Sequence, residues 1–199
     1  MEQDKAKGMH YSTLVLVGIA VVIGMIALEV SYVRAWGKRE AIWDETSATD
    51  VFATVDTTLL FGGTFTKDDI SKAKVTAVNV WETTCPACLG EMDELEELSK
   101  TYPVSEFQLV GVCADVYDRD GTLKEEQVEK GKQLMEDAGV TFPNMIPAPE
   151  MYTFFRSTIA GFPTTFFVDS EGRIIKSTCG ARKLDDWKAL AEEVMEEQK

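Results

Sequence analysis

The residues that decide the fold run from Lys74 to Cys88, KVTAVNVWETTCPAC. Val75, Thr76, Val78 and Val80 make the first half dense in β-branched side chains, so 74–81 is expected to be a buried strand. Pro86 suits the first turn of a helix, where no N–H partner is needed. Leu89, Met92, Leu95 and Leu98 then recur at helical spacing, which predicts a helix over 86–102. A helix N-terminus presents unpaired N–H groups and a partial positive charge. A thiolate there is stabilised, and its pKa falls below the free value of about 8.5. Cys85 stands at that mouth and Cys88 lies one turn in. The spacing lets the two sulfurs close a small disulfide or leaves Cys85 exposed alone, which is what thiol–disulfide exchange requires. A zinc half-site and a purely structural disulfide are the alternatives. Zinc would have to recruit Cys113 and Cys179, which are isolated and not spaced as a knuckle. Strand before and helix after favour the redox pair.

Downstream, 107–114 (FQLVGVCA) is expected as a second buried strand and 122–138 as a polar helix. Met145-Ile146 suggests a brief strand, and 150–157 a short helix. Residues 163–168 (PTTFFV) and 173–179 flank the turn Asp169-Ser-Glu-Gly172 as a hairpin. A closing amphipathic helix is expected over 184–197, with Trp187, Leu190 and Val194 on one face. Upstream, 52–56 and 63–66 flank Gly62-Gly63 and suggest another hairpin. Alternating strands and helices that end in a hairpin indicate an α/β layer fold with a central mixed sheet, flanked by helices, behind an N-terminal hairpin.

The 199 residues carry a net charge of −14. Residues 1–40 hold five Lys/Arg against four Asp/Glu, and 41–199 hold fifteen against thirty, so the acidity belongs to the body. An acidic body argues against a nucleic-acid grip. Four cysteines are too few for a disulfide scaffold. The single histidine, His10, nearly excludes His-based metal sites and Cys/His or Ser/His catalysis.

Leu14 to Leu28 is an unbroken run of apolar residues and glycine, and Tyr11 to Val33 is the looser segment around it. A bilayer core of roughly 30 Å needs about 20 helical residues. The reading is therefore a tail at 1–10, a transmembrane signal-anchor helix at 11–33, a stalk at 34–50 and a globular domain at 51–199. A cleaved secretory signal competes, with Val33-Arg34-Ala35 as a passable cleavage site far past the apolar core. A buried helix of the globular domain is the third reading. Lys5 and Lys7 before the segment balance Arg34, Lys38 and Arg39 after it, so charge barely decides its orientation.

Over 51–197 the chain resembles the thioredoxin superfamily, and within it the membrane-anchored TlpA/ResA-like disulfide reductases. The resemblance rests on KVTAVNVWETTCPACLGEMDELEELSK, QLVGVCADV and AGFPTTFFVDSEGRII, occurring in that order. It implies a thioredoxin-like fold and a cis peptide bond before Pro163, facing the sulfurs of Cys85 and Cys88. It places Phe162, Thr84 and Trp81 around the substrate groove. It implies a protein-disulfide reductase that needs no cofactor beyond the Cys85–Cys88 disulfide. Expected partners are disulfides of exported proteins, apocytochrome c among them, and a membrane electron donor of the CcdA or DsbD kind. The domain is expected outside the cytoplasm of a bacterial cell, tethered by 11–33.

The chain also departs from its relatives. Thioredoxins carry a buried Asp six residues before the first cysteine, where this chain has Asn79. That proton-transfer role is empty or taken by another group. Glu82 and Glu91 are the nearby carboxylates, both expected as solvated surface charges, with Glu82 also a possible auxiliary. Thr84 replaces the usual Trp before the first cysteine. The segment 115–151 exceeds thioredoxin's connection and matches the insertion of TlpA-like proteins. Two rivals remain. A peroxiredoxin-like peroxidase would need Thr three residues before its reacting cysteine, where Glu82 precedes Cys85. A copper-delivering metallochaperone would need a late histidine. Cys113 and Cys179 are expected on strands to either side of the active-site strand, too far apart for a disulfide. Both read as small apolar fillers, with Cys179 as a candidate auxiliary thiol near the redox pair.

Overall fold

A computed structural model describes Leu16 and residues 51–198. The tail, anchor and stalk assigned to 1–50 lie outside the described residues, Leu16 apart. Among the described residues no helix is long and apolar enough to cross a membrane. The fold set out below belongs to the unit Trp43–Lys199.

The strand read from Val75, Thr76, Val78 and Val80 is β3 (Val75–Trp81), and all seven of its residues are buried. A strand buried on both faces must sit in the middle of a sheet. β4 (Phe107–Cys113) pairs with it in parallel, and β6 (Thr164–Asp169) pairs antiparallel on its other side. β5 (Asn144–Met145) and β7 (Ile174–Cys179) complete the order β5-β4-β3-β6-β7. Side chains alternate across β3. Val75, Ala77 and Trp81 enter one core with Leu95, Phe107, Phe167 and Trp187. Val78 and Val80 enter the other, with Phe52, Phe155 and Phe166.

The N-terminal hairpin forms a separate two-stranded sheet of β1 (Asp56–Thr58) and β2 (Thr64–Thr66). Its first strand begins later than the sequence suggests, because Phe52 and Val55 are core side chains carried by turns. Leu60 N–H donates to the Asn144 carbonyl at 2.7 Å, and Ile146 N–H to the Thr58 carbonyl at 2.9 Å. The hairpin thereby covers the edge at β5, whose backbone groups would otherwise be open. A one-turn helix, α1 (Lys67–Ile70), leads back to β3.

The single helix expected over 86–102 is two helices, α2 (Pro86–Leu89) and α3 (Met92–Ser99). Gly90 caps the first, and the Glu91 side chain turns inward at the break instead of continuing a solvent face. α4 (Glu125–Asp137) starts three residues later than expected, since Leu123 bridges to Tyr117 instead. α5 (Pro149–Thr158) and α6 (Leu184–Glu197) follow the sequence pattern closely.

Candidate active site

Cys85 is the N-cap of α2, with extended backbone, and its sulfur accepts a hydrogen bond from the Cys88 backbone N–H at 3.2 Å. The two sulfurs are joined in a disulfide, with Cα atoms 5.3 Å apart. Cys88 is fully buried, whereas Cys85 is only half-buried. Thr84, just before it, is exposed. An incoming sulfur can therefore reach Cys85 and not Cys88. The N–H aimed at the Cys85 sulfur favours its charged form once the disulfide opens, because a hydrogen bond donated to an anion stabilises it.

The loop between β3 and α2 is held from below. Thr83 donates to Asp115 twice, through its N–H at 3.0 Å and its hydroxyl at 2.7 Å. Gln127 of α4 donates to both members of that pair at 3.0 Å. The redox loop is thus tied to the end of β4 and to the insertion helix. Trp81 does not line a groove: it is fully buried, and its indole N–H donates to Asn144 Oδ1 at 2.9 Å. Asn144 in turn requires Gly111 opposite, where a Cβ would lie 1.9 Å from the same oxygen.

The Phe162–Pro163 peptide bond is cis. Pro163 is buried and Phe162 half-buried, immediately before β6, whose Thr164 pairs with Val80 of the active-site strand. The Pro163 carbonyl accepts from Gly180 N–H at 2.8 Å. Cys113 and Cys179 are both free, on β4 and β7, with two strands between them. Cys113 is a core residue whose thiol burial pushes far up, and the nearby Asp115 charge adds to that. Cys179 is exposed, with its sulfur 3.6 Å from the Gly161 carbonyl, so it borders the loop that carries Pro163.

Glu91 departs most from expectation. It is 1 % exposed, not a surface charge. Its Oε1 accepts from Asn79 Nδ2 at 3.1 Å, and its Oε2 from Arg182 N–H at 3.1 Å. The Trp187 indole N–H lies near the same carboxylate, short of hydrogen-bond geometry. Burial pushes the Glu91 carboxyl up to about 7, against the opposing pull of these donors and of the Arg182 charge. Asn79 also donates to Thr165 at 3.0 Å, while its own Oδ1 is a buried acceptor without a partner. The position that lacks the expected Asp therefore still touches an ionisable carboxyl, contributed by α3's N-cap. Glu82 is half-buried, and its carboxyl is held above its ordinary value first by burial and then by Asp115. Sequence reasoning passed over Thr83, Asp115 and Gln127. Their chain separation hides the network, and only the polar Thr83 beside the dithiol hinted at it. Among the described residues no three His, Cys, Asp or Glu side chains converge as metal ligands would.

A central mixed sheet, with a dithiol where its middle strand meets a helix and a cis-proline opening the next strand, defines a thioredoxin-fold dithiol domain. The chain belongs to the AhpC/TSA family, whose profile matches residues 47–177. Among solved structures it is similar to a thioredoxin-family thiol:disulfide interchange protein from Chlorobium tepidum. That similarity has a TM-score of 0.59 at 24% identity, over 71% of this chain and 93% of the other. A thiol-disulfide isomerase from Corynebacterium glutamicum gives a TM-score of 0.56 at 19% identity, over 71% and 93%. A secreted disulfide oxidoreductase from Mycobacterium tuberculosis gives 0.53 at 18%, over 73% and 99%. No curated protein matches the chain.

Proposed function

We propose that this protein is a thiol–disulfide oxidoreductase that reduces disulfides of protein clients. The observation that carries the reading is the asymmetry of the pair: a reachable Cys85 backed by a fully buried Cys88. In the reduced protein the Cys85 thiolate attacks one sulfur of a client disulfide. A Cys85–client bond forms as the client's S–S bond breaks, and the other client sulfur leaves as a thiolate and takes up a proton. The Cys88 thiolate then attacks the Cys85 sulfur, closes the disulfide and expels the second client thiolate. Two electrons and two protons pass from the dithiol to the client.

Cys88 must lose its proton inside the fold to perform that second step. Glu91 follows Cys88 by one turn, and its N–H donates to the Cys88 carbonyl at 3.3 Å. Its carboxyl, held near 7, changes charge at neutral pH and so suits proton uptake and release. The segment 11–33 tethers the domain to a bacterial membrane on its outer side. The TlpA-like reading adds exported proteins, including apocytochrome c, as clients and a CcdA- or DsbD-like membrane donor that restores the dithiol. Peroxide reduction is the second reading. Glu82 weighs against it, since it occupies the place of the threonine such a site needs. Consumption of hydrogen peroxide by the reduced protein, at a rate matching its exchange with disulfides, would establish it.

Cys88→Ser is expected to trap mixed disulfides with client proteins in cells, and Cys85→Ser to trap none. Non-reducing gels with mass spectrometry of the adducts read the difference. The reverse pattern would overturn the assignment of roles.

A further inference from the structure

Beside the redox site lies a cleft of about 370 Å³ that begins at Glu82 and Phe162. The first of these stands three residues before Cys85 and the second directly precedes the cis-proline, so the cleft's lining adjoins both segments of the redox site along the chain. Its lining includes Phe155, Ile159 and Phe162, together with the Tyr117–Tyr152 pair, whose ring centroids are 5.1 Å apart. Both tyrosines are fixed at their hydroxyls, which donate to the Pro147 and Asp118 carbonyls at 2.9 and 3.1 Å.

The charges in this cleft run against the rest of the molecule. Arg119, Lys124 and Arg156 all line it, in a chain of net charge −14. Among the described residues, only five Lys or Arg side chains lack both an ion pair and a hydrogen bond: these three, Lys130 and Lys188. The Arg156 guanidinium is held 5.6 Å over the Tyr152 ring. Two carboxylates, Glu82 and Asp115, line the cleft, and Asp120 lines a second pocket that shares Arg119 and Arg156 with it. Asp115 is engaged by Thr83 and Gln127, and Asp120 by Thr122. Only Glu82, at the redox end, has no such partner. In one lining, three cations without an ion pair and several apolar side chains therefore meet one unengaged carboxylate. Self-repulsion in an acidic protein gives no reason to gather cations, whereas an acidic ligand does.

We propose that this cleft receives an extended client segment whose cysteine is accompanied by Asp or Glu and an apolar side chain. The inference deepens the disulfide-reductase reading and rests on it. The client's apolar side chain packs on Ile159 and Phe162, while its carboxylates reach Arg119, Lys124 and Arg156. Association then brings the client's disulfide to Cys85, where the exchange described above follows. The cleft makes no bond itself; it sets which clients arrive.

The test uses the full chain, reduced, in single-turnover reactions with three disulfide-linked peptides. They are identical except that glutamate, glutamine or lysine flanks the cysteine. The glutamate peptide is expected to be reduced about tenfold faster than the lysine peptide at low salt, within the range of electrostatic steering. The ratio should fall toward one at about 0.5 M salt, where screening reaches only a few ångströms. In the Arg119→Gln/Lys124→Gln/Arg156→Gln variant the ratio should be near one at any salt. The salt dependence of the unmodified protein and the single Arg156→Gln variant carry the test should the triple variant not fold. Equal rates for all three peptides, or a preference that survives the triple substitution, would overturn the cleft while leaving the redox reading intact. Cation-dependent acceleration confined to glutathione disulfide would assign the cleft to a small carboxylated thiol and overturn the client segment. Failure to reduce any peptide would overturn the redox reading, and this inference with it.

Discussion

A single buried carboxylate is the ionisable group that the sequence most concealed. Glu91 is 1 % exposed, and its carboxyl is held near 7 against an ordinary value of 4.5. A folded-state pKa above the unfolded one means that folding favours the protonated form. That contribution is fully present below pH 4.5 and is lost as pH rises through 7. At roughly 1.4 kcal/mol per unit the ceiling is about 3 kcal/mol. Glu91→Gln keeps the shape without the charge. The variant is therefore expected to match the parent near pH 4 and to gain up to about 3 kcal/mol on it at pH 8. Urea unfolding of the oxidised proteins at the two pH values reads this directly. Parallel stability curves would remove Glu91 as a group that titrates near neutrality. The two free thiols differ just as sharply. A maleimide should label Cys179 in the oxidised native protein and reach Cys113 only after unfolding, because one is exposed and the other buried. Mass spectrometry that finds both labelled at once would contradict the burial of Cys113.

At the scale of elements, the strand-to-strand fit at Gly111 and Asn144 fixes how the redox loop is supported. Gly111 of β4 faces Asn144 of β5, whose Oδ1 receives the Trp81 indole N–H at 2.9 Å. Gly111→Ala would set a Cβ 1.9 Å from that oxygen. One of three partners must then move, all within a packed core. Overpacking of this kind costs about 1–3 kcal/mol. Thermal unfolding should show that loss, and the double variant Gly111→Ala/Asn144→Ala should cost less than the sum of its parts, since the two sites touch. The strands themselves were legible in the sequence, because burial on both faces writes a run of β-branched residues such as Val75 to Val80. So was the dithiol, whose local spacing is its own evidence. The resemblance places Trp81 at the groove, but β3 is buried on both faces, so its last side chain is covered like the others. The break between α2 and α3 was illegible for a different reason. It is made by Glu91 reaching Asn79 and Arg182, contacts 12 and 91 residues away. Helical periodicity carries no record of such a contact.

The whole molecule pairs an acidic redox domain with an apolar segment of opposite character. Residues 41–199 carry fifteen Lys/Arg against thirty Asp/Glu, while Tyr11 to Val33 contains one charged residue, Glu29. The proposed anchoring through that segment would confine the domain near the membrane and raise its encounter rate with a membrane donor without any new contact. Which side of the membrane the domain occupies decides whether its clients are exported proteins. Local charge does not settle the side, since two lysines precede the segment and three basic residues follow it. Cys179 offers a reporter, because it is exposed while Cys113 is buried. In a Cys85→Ser/Cys88→Ser full chain, Cys179 is the one exposed cysteine among the described residues, and 1–50 contain none. A membrane-impermeant maleimide added to intact bacterial cells should therefore label the protein, and a further Cys179→Ser substitution should abolish the label. Alkaline carbonate should leave the labelled chain with the membranes, and deletion of 11–33 should give a chain that stays out of the membrane pellet and is no longer labelled in intact cells. Labelling seen only after lysis would place the domain in the cytoplasm, where its clients could not be exported proteins.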